Sequence, residues 1–127
     1  RAADVLKLLA NRQDDLNALL AAPEGHSSVE WAIEMARSAS AAGRMLWPTC
    51  DRGLAKRLHR VKAPTLLMWG SDDRVVPPAY LDLFAKRLGG AETRMLDGVG
   101  HLIDIDAPAE AARLIANFLT EKKRATA

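Results

Sequence analysis

Apolar and polar positions change rhythm most sharply between residues 64 and 106, which read PTLLMWGSDDRVVPPAYLDLFAKRLGGAETRMLDGVGHLIDID. Leu66, Leu67, Met68 and Trp69 are continuously apolar and end at Gly70, the pattern of a short strand covered on both faces by helices. Tyr80, Leu81, Phe84, Ala85 and Leu88 fall on one helical stripe closed by Gly89 and Gly90. A second short apolar run follows around Thr93 to Leu96, then a turn flanked by Gly98 and Gly100 that leads to His101. The predicted order is strand, acidic turn, helix, strand, histidine turn, the repeating unit of a parallel α/β sheet. Beyond it, Pro108 belongs in the first turn of a last helix, with Asp106 as its expected cap. Ala111, Leu114, Ile115, Phe118 and Leu119 are that helix's expected buried stripe.

The preceding chain is helical in period. Val5, Leu6, Leu8, Leu9, Leu16, Leu19 and Leu20 predict one helix over 2–20, or two broken near Asn11. Ser27 and Glu30 have the spacing of a capping box that opens another helix, with Gly43 expected to end it. Residues 48–51 read as a turn, and Leu54, Leu58 and Val61 as a short amphipathic helix leading into the first strand.

Gly70-Ser71-Asp72-Asp73-Arg74-Val75-Val76-Pro77 and Gly98-Val99-Gly100-His101 resemble, in type, spacing and order, the acid turn and the histidine turn of the α/β-hydrolases. The resemblance covers about residues 60–120 and implies an α/β fold, the C-terminal half of an α/β-hydrolase sheet with preceding cap-like helices. It divides the chain into a helical cap-like segment over 1–45, a linker and short helix over 46–63, and the C-terminal core part over 64–127. It assigns Asp73 as the acid and His101 as the base of a hydrolytic triad, an imidazole held by a carboxylate. The cap comparison makes Trp31, Met35 and Trp47, together with Val75 of the acid turn, the residues expected to meet an apolar small-molecule substrate. Plain core packing is the alternative for the first three.

The family's nucleophile elbow, G-x-S-x-G on a strand-to-helix turn, does not occur in the sequence. Gly25-His26-Ser27-Ser28-Val29 lacks the closing glycine and a preceding strand, and Cys50 stands outside any elbow context. The partner expected of this chain is therefore the N-terminal half of the hydrolase core, on the same polypeptide or a second one. Alone, the chain is expected to be inactive, and unstable or prone to associate through its open strand edge. The expected reaction is serine-type hydrolysis of an ester, a lactone or a ring-cleavage dione. An aspartate nucleophile acting on epoxides or haloalkanes, a non-catalytic interaction module, and a helical binding domain with residues 66–69 helical are the alternatives.

Composition narrows the rest. The chain has 127 residues with 18 Lys and Arg against 16 Asp and Glu, a balance that does not suggest a nucleic-acid partner. Lys122, Lys123 and Arg124 are expected to be a solvated helix end. No apolar run approaches the roughly 18 residues of a membrane span, so no membrane partner is expected. His26, His59, His101 and Cys50 lack metal-ligand spacing, and neither a metal nor another cofactor is expected. A single cysteine permits no internal disulfide and fits a cytoplasmic protein.

Overall fold

Two five-residue strands, β1 (Leu66–Gly70) and β2 (Glu92–Leu96), run parallel with Leu66 opposite Glu92 and Gly70 opposite Leu96. The structure, a computed structural model, describes residues 2–47 and 53–125. The predicted turn at 48–51, with Cys50, lies outside the described residues. Parallel neighbours need a crossover, and α4 (Tyr80–Leu88) supplies it. Leu81 is its buried residue, while Phe84, Ala85 and Leu88 are half-buried and Tyr80 is exposed. Its C-terminus turns on Gly89, which adopts a left-handed φ of 64° and returns its N–H to Ala85. Because residues 66–70 form a strand, the reading of an all-helical binding domain is excluded.

After β2 the chain makes a single helical turn, α5 (Ile103–Asp106), breaks at Ala107 and starts α6 (Pro108–Ala125). Pro108 stands at the first helical position, as its fixed φ and missing N–H favour. Asp106 is not the cap of α6. It closes α5, and its carboxylate is engaged elsewhere. The expected stripe of α6 is covered only in part: Ala111 is buried, Leu114 and Phe118 are half-buried, and Ile115 and Leu119 are exposed. Lys122 is not simply solvated, since its Nζ pairs with Glu92 at 2.6 Å and lies 5.2 Å from the Phe118 ring centre, tying α6 to β2.

Ahead of the sheet, α1 (Ala2–Leu9) and α2 (Gln13–Leu20) are two helices broken at Asn11. The third, α3 (Ser28–Leu46), opens on the capping box, with Ser27 accepting from the Glu30 N–H and Glu30 accepting from the Ser27 N–H. It runs through Gly43 rather than ending there, and the Gly43 carbonyl accepts from the Trp47 N–H. The expected helix near Leu58 is a single 3-10 turn (Leu58–Arg60).

Burial is thin. Among the described residues Ala10, Leu16, Leu81, Leu96, Val99 and Ala111 are the buried apolar ones, and none of the leucines is completely buried. Leu66 to Trp69, expected to be covered on both faces, are only half-buried, because the described helices on the strand pair are α4 and α6. Helix α3 buries no residue. The accessible surface is 9474 Å², against about 6,600 Å² for a compact monomer of this mass. The Thr65 carbonyl accepts from Glu92 and the Ser71 N–H donates to Leu96. By the alternation of a parallel ladder, the backbone groups of Leu66 and Met68 then point to the other, open edge of β1.

Candidate active site

Both turns that follow the C-terminal ends of the strands lie side by side. The Ser71 N–H reaches the Leu96 carbonyl at 2.9 Å, the Asp72 N–H reaches Val99 at 2.9 Å, and the Gly98 N–H reaches Ser71 Oγ at 2.8 Å. Two glycines permit this approach. A Cβ on Gly70 would collide with the Val99 and Gly100 carbonyl oxygens, and one on Gly100 would sit 2.8 Å from Asp106 Oδ2. Gly98 adopts a left-handed φ of 70°, the conformation that reverses the chain into the histidine turn. Gly100 has no positive φ. It serves close approach.

Across these turns His101 Nδ1 meets Asp73 Oδ2 at 2.9 Å, although 28 residues separate them. The Asp73 side chain is 5% exposed and the His101 side chain 32%. The other carboxylate oxygen of Asp73 accepts from the Val75 and Val76 N–H groups at 2.9 and 2.8 Å. Trp69 Nε1 holds the Val76 carbonyl at 3.1 Å, so the strand end also braces the acid turn. Burial opposes ionisation of Asp73, but the hydrogen bonds from His101, Val76 and Val75 and the charge on His101 outweigh it. They hold the carboxyl below its usual range. An ionised Asp73 can only accept, so His101 directs an N–H at it from Nδ1, and whenever the ring is neutral its lone pair lies on Nε2. A neutral imidazole held in that tautomer can take a proton from a hydroxyl or water and return it to a leaving group.

The predicted acid and base are thus brought together by the fold. Val75 stands in the acid turn, 43% exposed, with its N–H on Asp73. Trp31 is half-buried at the start of α3; its indole N–H donates to the Leu20 carbonyl and its ring meets His26 edge-on. Met35 and Trp47 are exposed, the latter at the end of α3. None of these three lines the open cleft of about 360 Å³ beside the pair, which is formed by Asn11, Ser71, Asp72, Asp73 and Arg74. A cleft of about 540 Å³ between β2 and α6 lies away from the pair. Among the described residues no group of His, Cys, Asp and Glu gathers closely enough to hold a metal ion, and no helix is long and apolar enough to cross a membrane.

Sequence reasoning missed two residues. Asp106 accepts from Gly100 at 2.7 Å, from Asn11 at 2.9 Å and from Arg12 at 2.8 Å, joining the histidine turn to the α1–α2 junction. Burial works against its charge too, but these N–H donors and the Arg12 charge outweigh it and keep its carboxyl below the usual range. The Asn11 side chain donates to the Gly98 carbonyl at 2.9 Å and to Asp72 at 3.3 Å, and accepts from Arg74 at 3.0 Å. A break in the helical period near residue 11 was the only local signal.

Comparison with known proteins bears on the family and the fold. The sequence profile of the alpha/beta hydrolase fold matches residues 4–108. Monoacylglycerol lipase ABHD6 of Mus musculus is 30% identical over 66 residues, 52% of this chain and 20% of that protein. Lipase 1 of Psychrobacter immobilis is 34% identical over 58 residues, 46% of this chain and 18% of that protein. The chain therefore spans about a fifth of the length of these curated relatives. Among solved structures, MGS-MChE2, an alpha/beta hydrolase enzyme from a metagenome of Mar Chica lagoon sediments, superposes with a TM-score of 0.58 at 25% identity. That superposition covers 74% of this chain and 46% of the other.

Proposed function

The chain belongs to the α/β-hydrolase fold family, and from that premise we propose that it supplies the acid, Asp73, and the base, His101, of a serine-type hydrolase. The substrate class is esters first, with lactones and ring-cleavage diones as chemical neighbours. The single observation that carries this reading is the 2.9 Å bond between His101 Nδ1 and a buried Asp73 whose other oxygen is held by two backbone N–H groups. A carboxylate fixed on both oxygens orients one imidazole tautomer, which general-base activation of a hydroxyl requires. The lipase relatives favour an ester over an epoxide or haloalkane.

The nucleophile comes from a segment outside residues 1–127, on the same polypeptide or a second chain, and pairs its strand with the open edge of β1. The excess of accessible surface and the half-covered strands support such a neighbour. Residues 1–45 serve as a cap, residues 46–63 connect it, and residues 64–127 complete the core. Trp31, Met35, Trp47 and Val75 then offer apolar surface to a small-molecule substrate once cap and core close. A cytoplasmic location goes with the single cysteine.

The test is hydrolysis of a short-chain nitrophenyl ester by the complete hydrolase, with native mass spectrometry identifying the chain that brings the nucleophile. His101→Ala is expected to abolish turnover. Asp73→Asn is expected to lower kcat by about 10³–10⁴, because an amide facing Nδ1 forces the wrong tautomer. Normal turnover in either variant would sink the assignment.

A further inference from the structure

Resting on the reading of Asp73 and His101 as a catalytic pair, we propose that Asn11 is a positioning residue, clamping the acid turn against the histidine turn so that the His101 ring is held on Asp73. Asn11 touches neither the carboxylate of Asp73 nor the imidazole. It touches the residues on either side. Asp72 and Arg74 flank Asp73 in the acid turn, and Gly98 stands three residues before His101 in the other. The amide donates to Gly98 at 2.9 Å and to Asp72 at 3.3 Å, and its carbonyl accepts from Arg74 at 3.0 Å. Donors and acceptor are all engaged, which fixes the amide's orientation as well as its place.

An asparagine at a helix break commonly bonds its own neighbours. Asn11 instead reaches partners 61 to 87 residues away. Its backbone is anchored independently: the Asn11 N–H rests on Asp106, the Leu9 carbonyl accepts from Leu102 at 2.8 Å, and Ala10 is wholly buried between them. The junction of α1 and α2 is thereby fastened to the histidine turn, and the Asn11 side chain extends from it across to the acid turn. The Asn11 side chain thus links the α1–α2 junction to both turns, beside the backbone links that Asp106 and Leu102 make to the histidine turn.

The test reads the imidazole directly and uses the complete hydrolase that carries this chain. Solvent exchange of the His101 Nδ1 proton is measured by NMR on nitrogen-labelled protein, together with the exchange of the β1–β2 amides. Asn11→Ala and the isosteric Asn11→Asp, which cannot donate to Gly98, are expected to speed exchange of the ring proton about tenfold. The strand amides and the exposed-site control Asn17→Ala are expected to keep wild-type rates. If Asn11→Ala fails to fold, Asn11→Asp decides. Ring exchange at the wild-type rate in the Asn11 variants overturns the clamp while leaving the catalytic pair intact. So does a parallel loss of protection in the strands, which marks general destabilisation. A wild-type ring proton with no protection overturns the pair and the clamp together.

Discussion

Asp106→Asn is the perturbation whose size follows most directly from the geometry. The carboxylate of Asp106 serves three N–H donors, those of Gly100, Asn11 and Arg12. An asparagine keeps one oxygen and turns an NH₂ against the remaining donors. Gly100 is buried, so its stranded N–H costs about 1–3 kcal/mol. Asn11 and Arg12 are at the surface; water replaces most of what they lose, and solvent screening leaves about 0–1 kcal/mol each. The expected destabilisation is about 1–5 kcal/mol, a large share of the roughly 5–15 kcal/mol of a small domain. Urea unfolding followed by tryptophan fluorescence reads it as a fall in midpoint of about 0.5 M or more. The pH dependence carries a sign. The folded carboxyl lies below its usual value, about 3.9 in the unfolded chain. Its contribution is therefore present in full above that value and lost as pH falls through the lower, folded one. Asp73, shifted in the same direction, adds a second step in that window, so Asp106→Asn flattens the acid limb without abolishing it. A midpoint change equivalent to less than about 0.5 kcal/mol, or an acid limb of unchanged slope, would falsify the reasoning.

Gly70→Ala is expected to cost about 3 kcal/mol or to prevent folding, because its Cβ meets the Val99 and Gly100 backbone and not a movable side chain; a thermal melt within 2 °C or so of wild type would contradict that. Ser27→Ala removes one half of the capping box on a helix that buries nothing else, so about 1 kcal/mol is expected to appear as loss of helicity by circular dichroism. An unchanged spectrum would mean that α3 is held by packing rather than by its cap.

The fold was legible where the physics is local. Leu66 to Trp69 could be recognised as a strand because continuous apolar residues ending at a glycine suit a buried parallel strand, and the stripe from Leu81 to Leu88 because its period is helical. The capping box was legible for the same reason: donor and acceptor stand three residues apart. The degree of burial was not legible. Apolar period tells which face wants cover, while the extent of cover depends on what packs there, and α3, Ile115 and Leu119 remain largely exposed. Asp106 was misread because Asp before Ala-Pro has the local signature of a helix cap, and the donors that win its carboxylate include two from 94 and 95 residues away.

From its sequence alone this chain is determined to be an α/β unit with an acid turn and a histidine turn in hydrolase order, since those features are written in residue type and spacing. Tertiary structure alone decided that Asp73 and His101 close to 2.9 Å, that Gly70 and Gly100 serve contact between turns, and that Asn11 and Asp106 hydrogen-bond to the histidine turn. The division has one cause. Periodicity and capping are set by neighbours a few residues apart, whereas a hydrogen bond that spans the chain leaves no trace in either partner's surroundings until the backbone brings them together.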